Sequence, residues 1–181
     1  MSTTYQFKNL NILEHGLSVR KHFLNIISDL DNNNHDRYEF PVLLVQNWNR
    51  FKTKLYKPSI MSYYQIYHDC GKPFVLRMDH DGKQHFPGHA EESAKKFEEY
   101  FPNLKYTSVV SNLIKHDMIF HSGSAEEIDF FLATQPEQCY ISLWMTSFAE
   151  LYANKEMFDS SNQTSFKIKY KKLKRILNKF L

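Results

Sequence analysis

Residues 68–73 read HDCGKP and follow an apolar stretch, residues 59–67. Here a histidine, His68, stands directly before an aspartate, Asp69, and a glycine and a proline then break the chain. A neutral imidazole and a carboxylate together suit divalent transition metals. In a helical bundle, such a site gathers ligands that several helices project inward. The stretch therefore predicts a metal site around His68 and Asp69 in a mostly helical fold.

Further candidate ligands lie on other predicted helices. His15 falls on the first one, and Glu150 lies in a long apolar one, where a buried carboxylate needs a partner such as a metal. His89 opens another helix, and His116 stands late in the next. Plainer interpretations stay open, since a single helical histidine is more often a satisfied or exposed one and Glu150 is as easily directed to solvent. The neighbouring side chains are expected to pack or to lie in loops: Cys70, His80, His85 and His121.

The spacing of apolar residues predicts a mostly α-helical chain. A turn is predicted at residues 79–82, and the segments on its two sides form either a small hairpin or a loop. Ser124 is a candidate N-cap. Helices or short apolar elements are predicted over residues 10–30, 40–51, 59–67, 90–101, 108–120, 125–133 and 140–155, and from residue 166 to the end.

The composition is that of a folded globular protein, with 42% hydrophobic, 15% aromatic and 24% charged residues. No run of about 18 apolar residues occurs, so no transmembrane helix is expected. The N-terminus does not have the pattern of a secretory signal. Two cysteines, Cys70 and Cys139, give no disulfide framework, and a reducing, cytoplasmic location is expected.

The last sixteen residues, 166–181, carry seven basic side chains and no acidic one. One domain is therefore expected over residues 1–158, followed by a linker and a basic amphipathic helix over 159–181. Its apolar stripe comprises Phe166, Tyr170, Leu173, Leu177 and Phe180, and it packs either on the body or on another copy. Its basic face either stays solvated, binds RNA phosphates or rests on an anionic membrane.

The motif at residues 68–73 resembles the His-Asp-x-Gly-Lys-Pro signature of the HD-domain phosphohydrolase superfamily. The stretch DHDGKQHFPGHAEESA, residues 79–94, is similar to the HD domain of bacterial tRNA nucleotidyltransferases. There a turn, an aromatic residue, a Gly-His pair and a small-residue helix follow at comparable spacing. Residues 104–116 resemble the next helix of that family, which also ends in a histidine. No nucleotidyltransferase catalytic domain is recognised, so CCA addition is not expected.

This resemblance implies an all-α HD-domain helical bundle and assigns roles to single residues. The superfamily's metal ligands are matched by His15, His68, Asp69 and Glu150. Histidines that hold a second metal or the phosphate in some members are matched by His89 and His116. Glu150 departs from the pattern because aspartate is usual there. His22 is a rival to His15 as first ligand, since the separation from His68 is longer than in the transferases, but the sequence before His15 favours His15.

Members of the superfamily are mostly metal-dependent phosphatases and phosphodiesterases. The resemblance thus implies an enzyme that uses a divalent metal ion (Mn, Ni, Co, Mg, Fe or Zn) on a nucleotide or RNA-terminal phosphate ester. Catalytic roles are expected for Asp69, His89, His116 and Lys72, although Lys72 is equally well explained as a solvated surface lysine. The alternative is a degenerate HD domain that binds RNA or a nucleotide without cleaving it.

Overall fold

The structure, a computed structural model, describes the backbone of residues 5–7, 10–157 and 163–180. This part of the chain is mostly helical and contains two short antiparallel strand pairs, which confirms the predicted all-α class. The helices are α1 Ile12–Asp31, α2 Val42–Gln46, α3 Trp48–Thr53, α4 Pro58–Tyr67, α5 Lys72–Val75, α6 His89–Tyr100, α7 Thr107–Lys115, α8 Ile119–Ser122, α9 Ala125–Thr134, α10 Glu137–Met157 and α11 Gln163–Leu177. The strands are β1 Tyr5–Phe7, β2 Leu10–Asn11, β3 Arg77–Met78 and β4 Gln84–His85, and a 3-10 helix covers Asn178–Phe180.

The chain forms two compact units, each assembled from separated segments. The first unit comprises residues 1–17 and 57–118, and the second comprises residues 18–56 and 119–181. Helix α1 therefore contributes its first turns to one unit and its remainder to the other. The boundary predicted between residues 158 and 159 lies outside the described residues.

In the first unit, α7 packs against both α6 and α4. Four aromatic rings from α4 and α6 and their ends join the two helices, with centroids 4.8 to 6.3 Å apart. They are those of Tyr63, Tyr67, Phe97 and Phe101. Edge-to-face and offset contacts at such distances stabilise a packed core. This packing fixes the end of α4, from which the His68-Asp69 segment continues.

The predicted turn at residues 79–82 closes a hairpin. β3 pairs with β4 in antiparallel register, with Arg77 opposite His85. The Asp79 carboxylate accepts hydrogen bonds from the backbone N–H groups of Asp81 at 3.1 Å and Lys83 at 2.7 Å. Gly82 has a φ of +74°, which glycine adopts without strain. His80 is exposed in the turn, as expected of a loop residue, whereas His85 is exposed on β4, so the expectation that it is a loop residue is wrong.

Residues 108–120 were expected to form one helix, and this prediction is wrong. Helix α7 ends at Lys115, and α8 begins only at Ile119. At the break, Asp117 is buried and accepts a hydrogen bond from the Tyr64 hydroxyl of α4. The spacing of apolar residues cannot reveal a hydrogen bond between positions far apart in the sequence, such as Tyr64 and Asp117, and it continues unchanged across the break.

The predicted N-cap at Ser124 is confirmed. Its hydroxyl accepts a hydrogen bond from the Glu127 N–H at 3.2 Å, and the Ser124 N–H donates to the Glu127 carboxylate at 2.7 Å. The two bonds form a capping box, which satisfies N–H groups that the first turn of α9 leaves without helical partners.

In the second unit, α11 packs along α10. Four of the five stripe residues predicted for α11 are buried, and Phe166 is half-buried. Ile176, which the predicted stripe omits, is also buried. The Trp144 indole donates to the Leu173 carbonyl at 2.9 Å and ties the two helices together. Within the described residues, no helix combines the length and apolar character that crossing a membrane requires.

Candidate metal centre

A capping box at the start of α1 fixes the position of His15. The Asn11 N–H donates to the Glu14 carboxylate, and the Glu14 N–H donates to the Asn11 side-chain oxygen, both at 2.9 Å. His15 follows in the first turn and is fully buried. The next residue, Gly16, lies so close to α4 that a Cβ there would be 2.5 Å from a backbone carbonyl oxygen. Gly16 thereby permits the approach that leaves the His15 and His68 rings 5.3 Å apart.

The segment after α4 turns directly against α6. The Gly71 N–H donates to the Ser93 hydroxyl at 2.8 Å, and the Cys70 thiol donates to the Ser93 carbonyl at 3.4 Å. A Cβ at Gly71 would overlap the backbone of α6, so glycine is required for this contact. Burial raises the pKa of Cys70 to about 12, so the thiol stays neutral and packs, as expected.

The Asp69 carboxylate is the centre of a buried cluster of side chains. Its Oδ2 lies 2.6 Å from Lys72 Nζ, 3.3 Å from His68 Nε2 and 3.8 Å from His15 Nε2. Its Oδ1 lies 3.6 Å from His89 Nε2. Lys72 is only 8% exposed, which excludes its interpretation as a solvated surface lysine. The cluster therefore brings five of the predicted site residues together in the first unit.

Burial by itself would raise the pKa of Asp69, because it disfavours the ionised carboxylate. The charge interactions with His68 and Lys72 outweigh burial, together with a hydrogen bond from His68 and the charge interaction with His15. Their combined effect holds the pKa of Asp69 well below its ordinary value. Asp69 is therefore an anion at neutral pH, as a metal-binding carboxylate must be.

Three histidines of the first unit are oriented by the same type of bond. In His68, His89 and His116, Nδ1 lies 2.9 Å from a backbone carbonyl oxygen of the preceding turn or loop. A carbonyl only accepts, so Nδ1 carries a proton; Nε2 donates to a carboxylate when the ring is charged and keeps a lone pair when the ring is neutral. This is the form in which histidine binds metals, with the other nitrogen held by a second partner. His68 and His89 direct that Nε2 toward Asp69.

The two candidates for the first ligand differ in their neighbours. His15 Nε2 faces Asp69, at 3.8 Å from Oδ2. His22 is buried as well, but its Nδ1 lies 2.9 Å from the hydroxyl of Tyr38 in the second unit. The geometry thus favours His15 over His22, as the residues preceding His15 already indicated.

The predicted fourth ligand, Glu150, belongs to the second unit. There its Oε2 lies 2.9 Å from His121 Nε2, and its Oε1 accepts a hydrogen bond from the Asn154 amide at 3.4 Å. Both partners of the Glu150–His121 pair are 13% exposed, so Glu150 is not directed to solvent. His121 lies on α8, and the expectation that it is a loop residue is wrong. No sequence spacing joins a short helix to a residue far along the chain, so the analysis of the sequence missed this pair.

The donor atoms around Asp69 fit a divalent metal ion. Ligand atoms that lie about 2.0–2.2 Å from such an ion are about 3.0–3.6 Å from one another. The Oδ2 atom of Asp69 is 3.3 Å and 3.8 Å from the Nε2 atoms of His68 and His15, close to that range. Two imidazole nitrogens and one carboxylate oxygen make a donor set that suits zinc and the divalent ions of manganese, iron, cobalt and nickel.

Comparison of the chain with models of known protein families gives no match, and comparison with curated proteins gives none. The resemblance to the HD superfamily therefore stays a hypothesis. A metal site at Asp69 is supported by the geometry of the cluster.

Proposed function

We propose that the protein is a metal-dependent phosphohydrolase of the HD type, acting as a phosphatase or a phosphodiesterase. The observation that carries the proposal is the convergence of His15 Nε2 and His68 Nε2 on Asp69 Oδ2, within a buried cluster that also holds Lys72 and His89. The likeness of residues 68–94 to the HD signature supports the class of reaction.

In this proposal the metal is held by His15, His68 and Asp69, and Glu150 stays the predicted fourth ligand. A divalent ion supplies Lewis acidity toward the attacking water and a phosphoryl oxygen. The Lys72 ammonium, fixed by Asp69, attracts the phosphate. When protonated, His89 Nε2 gives a proton to the oxygen that leaves phosphorus. His116, whose Nδ1 is held like that of His89, steadies the charge of the phosphate.

The substrate that we propose is a nucleotide or an RNA-terminal phosphate ester. Helix α11 supports an RNA substrate, because its solvent face presents Lys167, Lys169, Lys171, Lys174 and Arg175. Among the described residues, no carboxylate lies within 4.0 Å of these five cations, so they are available to backbone phosphates. Binding to a membrane is disfavoured, because the apolar face that would enter the lipid is packed within the second unit.

The decisive assay measures hydrolysis by metal-depleted protein after addition of Mn²⁺, Ni²⁺, Co²⁺ or Mg²⁺. The substrates are 2′,3′-cyclic, 2′- and 5′-phosphate esters of nucleosides. We expect turnover that depends on the metal and falls by at least about 100-fold in His68→Ala. His80→Ala is the matched control, because His80 is exposed in the turn, and it should retain activity. Absence of turnover with every metal would contradict the proposal.

A second candidate is a domain that binds a phosphate ester without cleaving it. The observation in its favour is the Lys72 ammonium, 2.6 Å from Asp69 Oδ2, because this cation already balances part of the charge that a metal would neutralise. RNA or nucleotide binding that persists in His68→Ala, with no metal-dependent turnover of the original protein, would support this candidate.

A further inference from the structure

Lys172 on α11 is a half-buried cation whose described partners are neutral. Its Nζ donates hydrogen bonds to two backbone carbonyls at the end of α8, those of His121 at 3.0 Å and Gly123 at 3.1 Å. Within the described part of the chain, no carboxylate lies within 4.0 Å of this ammonium. The two carbonyls fix the ammonium in place and leave its third N–H for another acceptor. Burial lowers the pKa of Lys172, which shows that the site penalises a charge without a counter-ion.

A shallow pocket in the second unit opens beside this ammonium. Its polar lining comes from His121, Asn154, Lys169 and Lys172, and apolar side chains of α8, α10 and α11 complete it. Among the residues that the structure describes, no carboxylate lines the pocket. The Glu150 carboxylate contacts two of the lining residues, the His121 ring and one N–H of the Asn154 amide. The pocket thus offers two cations and an amide donor to a ligand that only accepts hydrogen bonds.

The surrounding face of α11 has the same sign of charge. Lys169, Lys172 and Arg175 follow one another at helical spacings of three, so they form a row with steps of about 5–6 Å. Like charges at these spacings repel one another, and an anion that bridges them relieves the repulsion. Phosphate groups are the common biological anions with several acceptor oxygens.

We propose that this pocket is a phosphate-binding site, in which Lys172, Lys169 and the Asn154 amide hold the oxygens of one phosphate group. The phosphate is either free, as the inorganic ion, or part of a nucleic-acid backbone that continues along the row of Lys169, Lys172 and Arg175. The site lies wholly in the second unit and does not depend on the proposed metal centre or on its chemistry.

The test is a titration of the full chain with inorganic phosphate and, separately, with single-stranded oligouridine at several salt concentrations. We expect phosphate to bind with a dissociation constant on the order of 1 mM. Lys172→Met and Lys169→Met should each weaken this binding by about tenfold, since each removes one charged donor. Lys174→Met is the matched control, because Lys174 is exposed on the same helix but does not line the pocket. It should leave the affinity for phosphate unchanged.

The oligouridine arm identifies the source of the phosphate. If Lys172→Met and Arg175→Met both weaken oligouridine binding, the pocket holds one phosphate of a nucleic acid, and if neither does, it holds free phosphate. Circular dichroism establishes whether each variant is folded. If Lys172→Met does not fold, Lys169→Met tests the phosphate site in its place, because Lys169 is exposed. Phosphate that does not bind the original protein, or that binds equally to Lys169→Met, overturns the proposal.

Discussion

Each oxygen of the Asp69 carboxylate has a nitrogen neighbour within 4.0 Å, and the closest is the Lys72 ammonium. Asp69→Asn keeps the shape but removes the charge, which leaves Lys72 buried beside a neutral amide. We expect metal binding and turnover to be lost, and the free energy of unfolding to fall by about 3 kcal/mol. Asp69→Asn/Lys72→Met should recover most of the stability and none of the activity. Urea unfolding and the metal-dependent assay measure the two quantities.

Asp79→Asn is the control for this change. Asp79 also pairs with a histidine, His85, at 2.9 Å, but in the exposed hairpin. It should lose little stability and no activity. A fully active Asp69→Asn variant would show that the carboxylate has no part in the chemistry.

At the scale of single residues, the sequence identifies the site residues that belong to a recognisable local motif. His68, Asp69 and Lys72 stand within six residues, and the chain breaks beside them mark the segment. The orientation of Lys72 toward Asp69 does not follow from spacing, because it depends on burial. The pairing of Glu150 with His121 had no local signal, because it exists only where α8 and α10 meet.

At the scale of helices, Gly16 decides how closely α1 approaches α4. Gly16→Ala would place a Cβ 2.5 Å from a backbone oxygen. Alanine favours the helix by about 1 kcal/mol, but overpacking against a fixed backbone costs about 1–3 kcal/mol. We therefore expect a net loss of stability in urea unfolding, together with weaker Mn²⁺ binding in a calorimetric titration, because His15 moves with α1.

Gly82→Ala provides the comparison. Gly82 has a positive φ and open space around it, so the change strains the turn without touching the cluster. It should lower stability and leave the affinity for Mn²⁺ unchanged. If Gly16→Ala binds Mn²⁺ as tightly as the original protein, the close approach of the two helices does not position a ligand.

Most helices could be predicted because their apolar residues recur at helical spacing. The end of α7 could not be predicted, because apolar residues continue through the break, where Asp117 accepts a hydrogen bond from Tyr64. Sequence analysis likewise left open whether the segment after α5 is a hairpin or a loop, because so short a pair of strands has little apolar alternation. The strand register around Asp79 settles it as a hairpin.

At the scale of the whole molecule, α11 is a packing element of the second unit, and its charge lies on the opposite face. Five apolar side chains of this segment are buried, those of Tyr170, Leu173, Ile176, Leu177 and Phe180. Deleting residues 163–181 would remove them and expose the side chains that they contact. Each such loss costs about 2–5 kcal/mol, and the sum exceeds the stability of an ordinary domain. We expect the truncated chain to lose its cooperative thermal transition, measured by circular dichroism, and to lose RNA binding and turnover together. A truncated chain with the original melting temperature would contradict this.

The division of the chain into two units could not be predicted from composition. Both units are built from segments far apart in sequence, and α1 passes from one to the other without interruption. The excess of basic residues in α11 is evident from the sequence. Whether the helix packs on the protein or is free to bind a partner depends on the burial of its apolar stripe, which the sequence does not show.

The most direct measurement of the proposed metal centre is anomalous diffraction from crystals soaked in MnCl₂, recorded near the manganese absorption edge. We predict a peak about 2.0–2.4 Å from His15 Nε2, His68 Nε2 and a carboxylate oxygen of Asp69, which disappears in crystals of His68→Ala. A map with no peak beside Asp69 in the original protein, or with the same peak in His68→Ala, would contradict the metal site and the phosphohydrolase built on it.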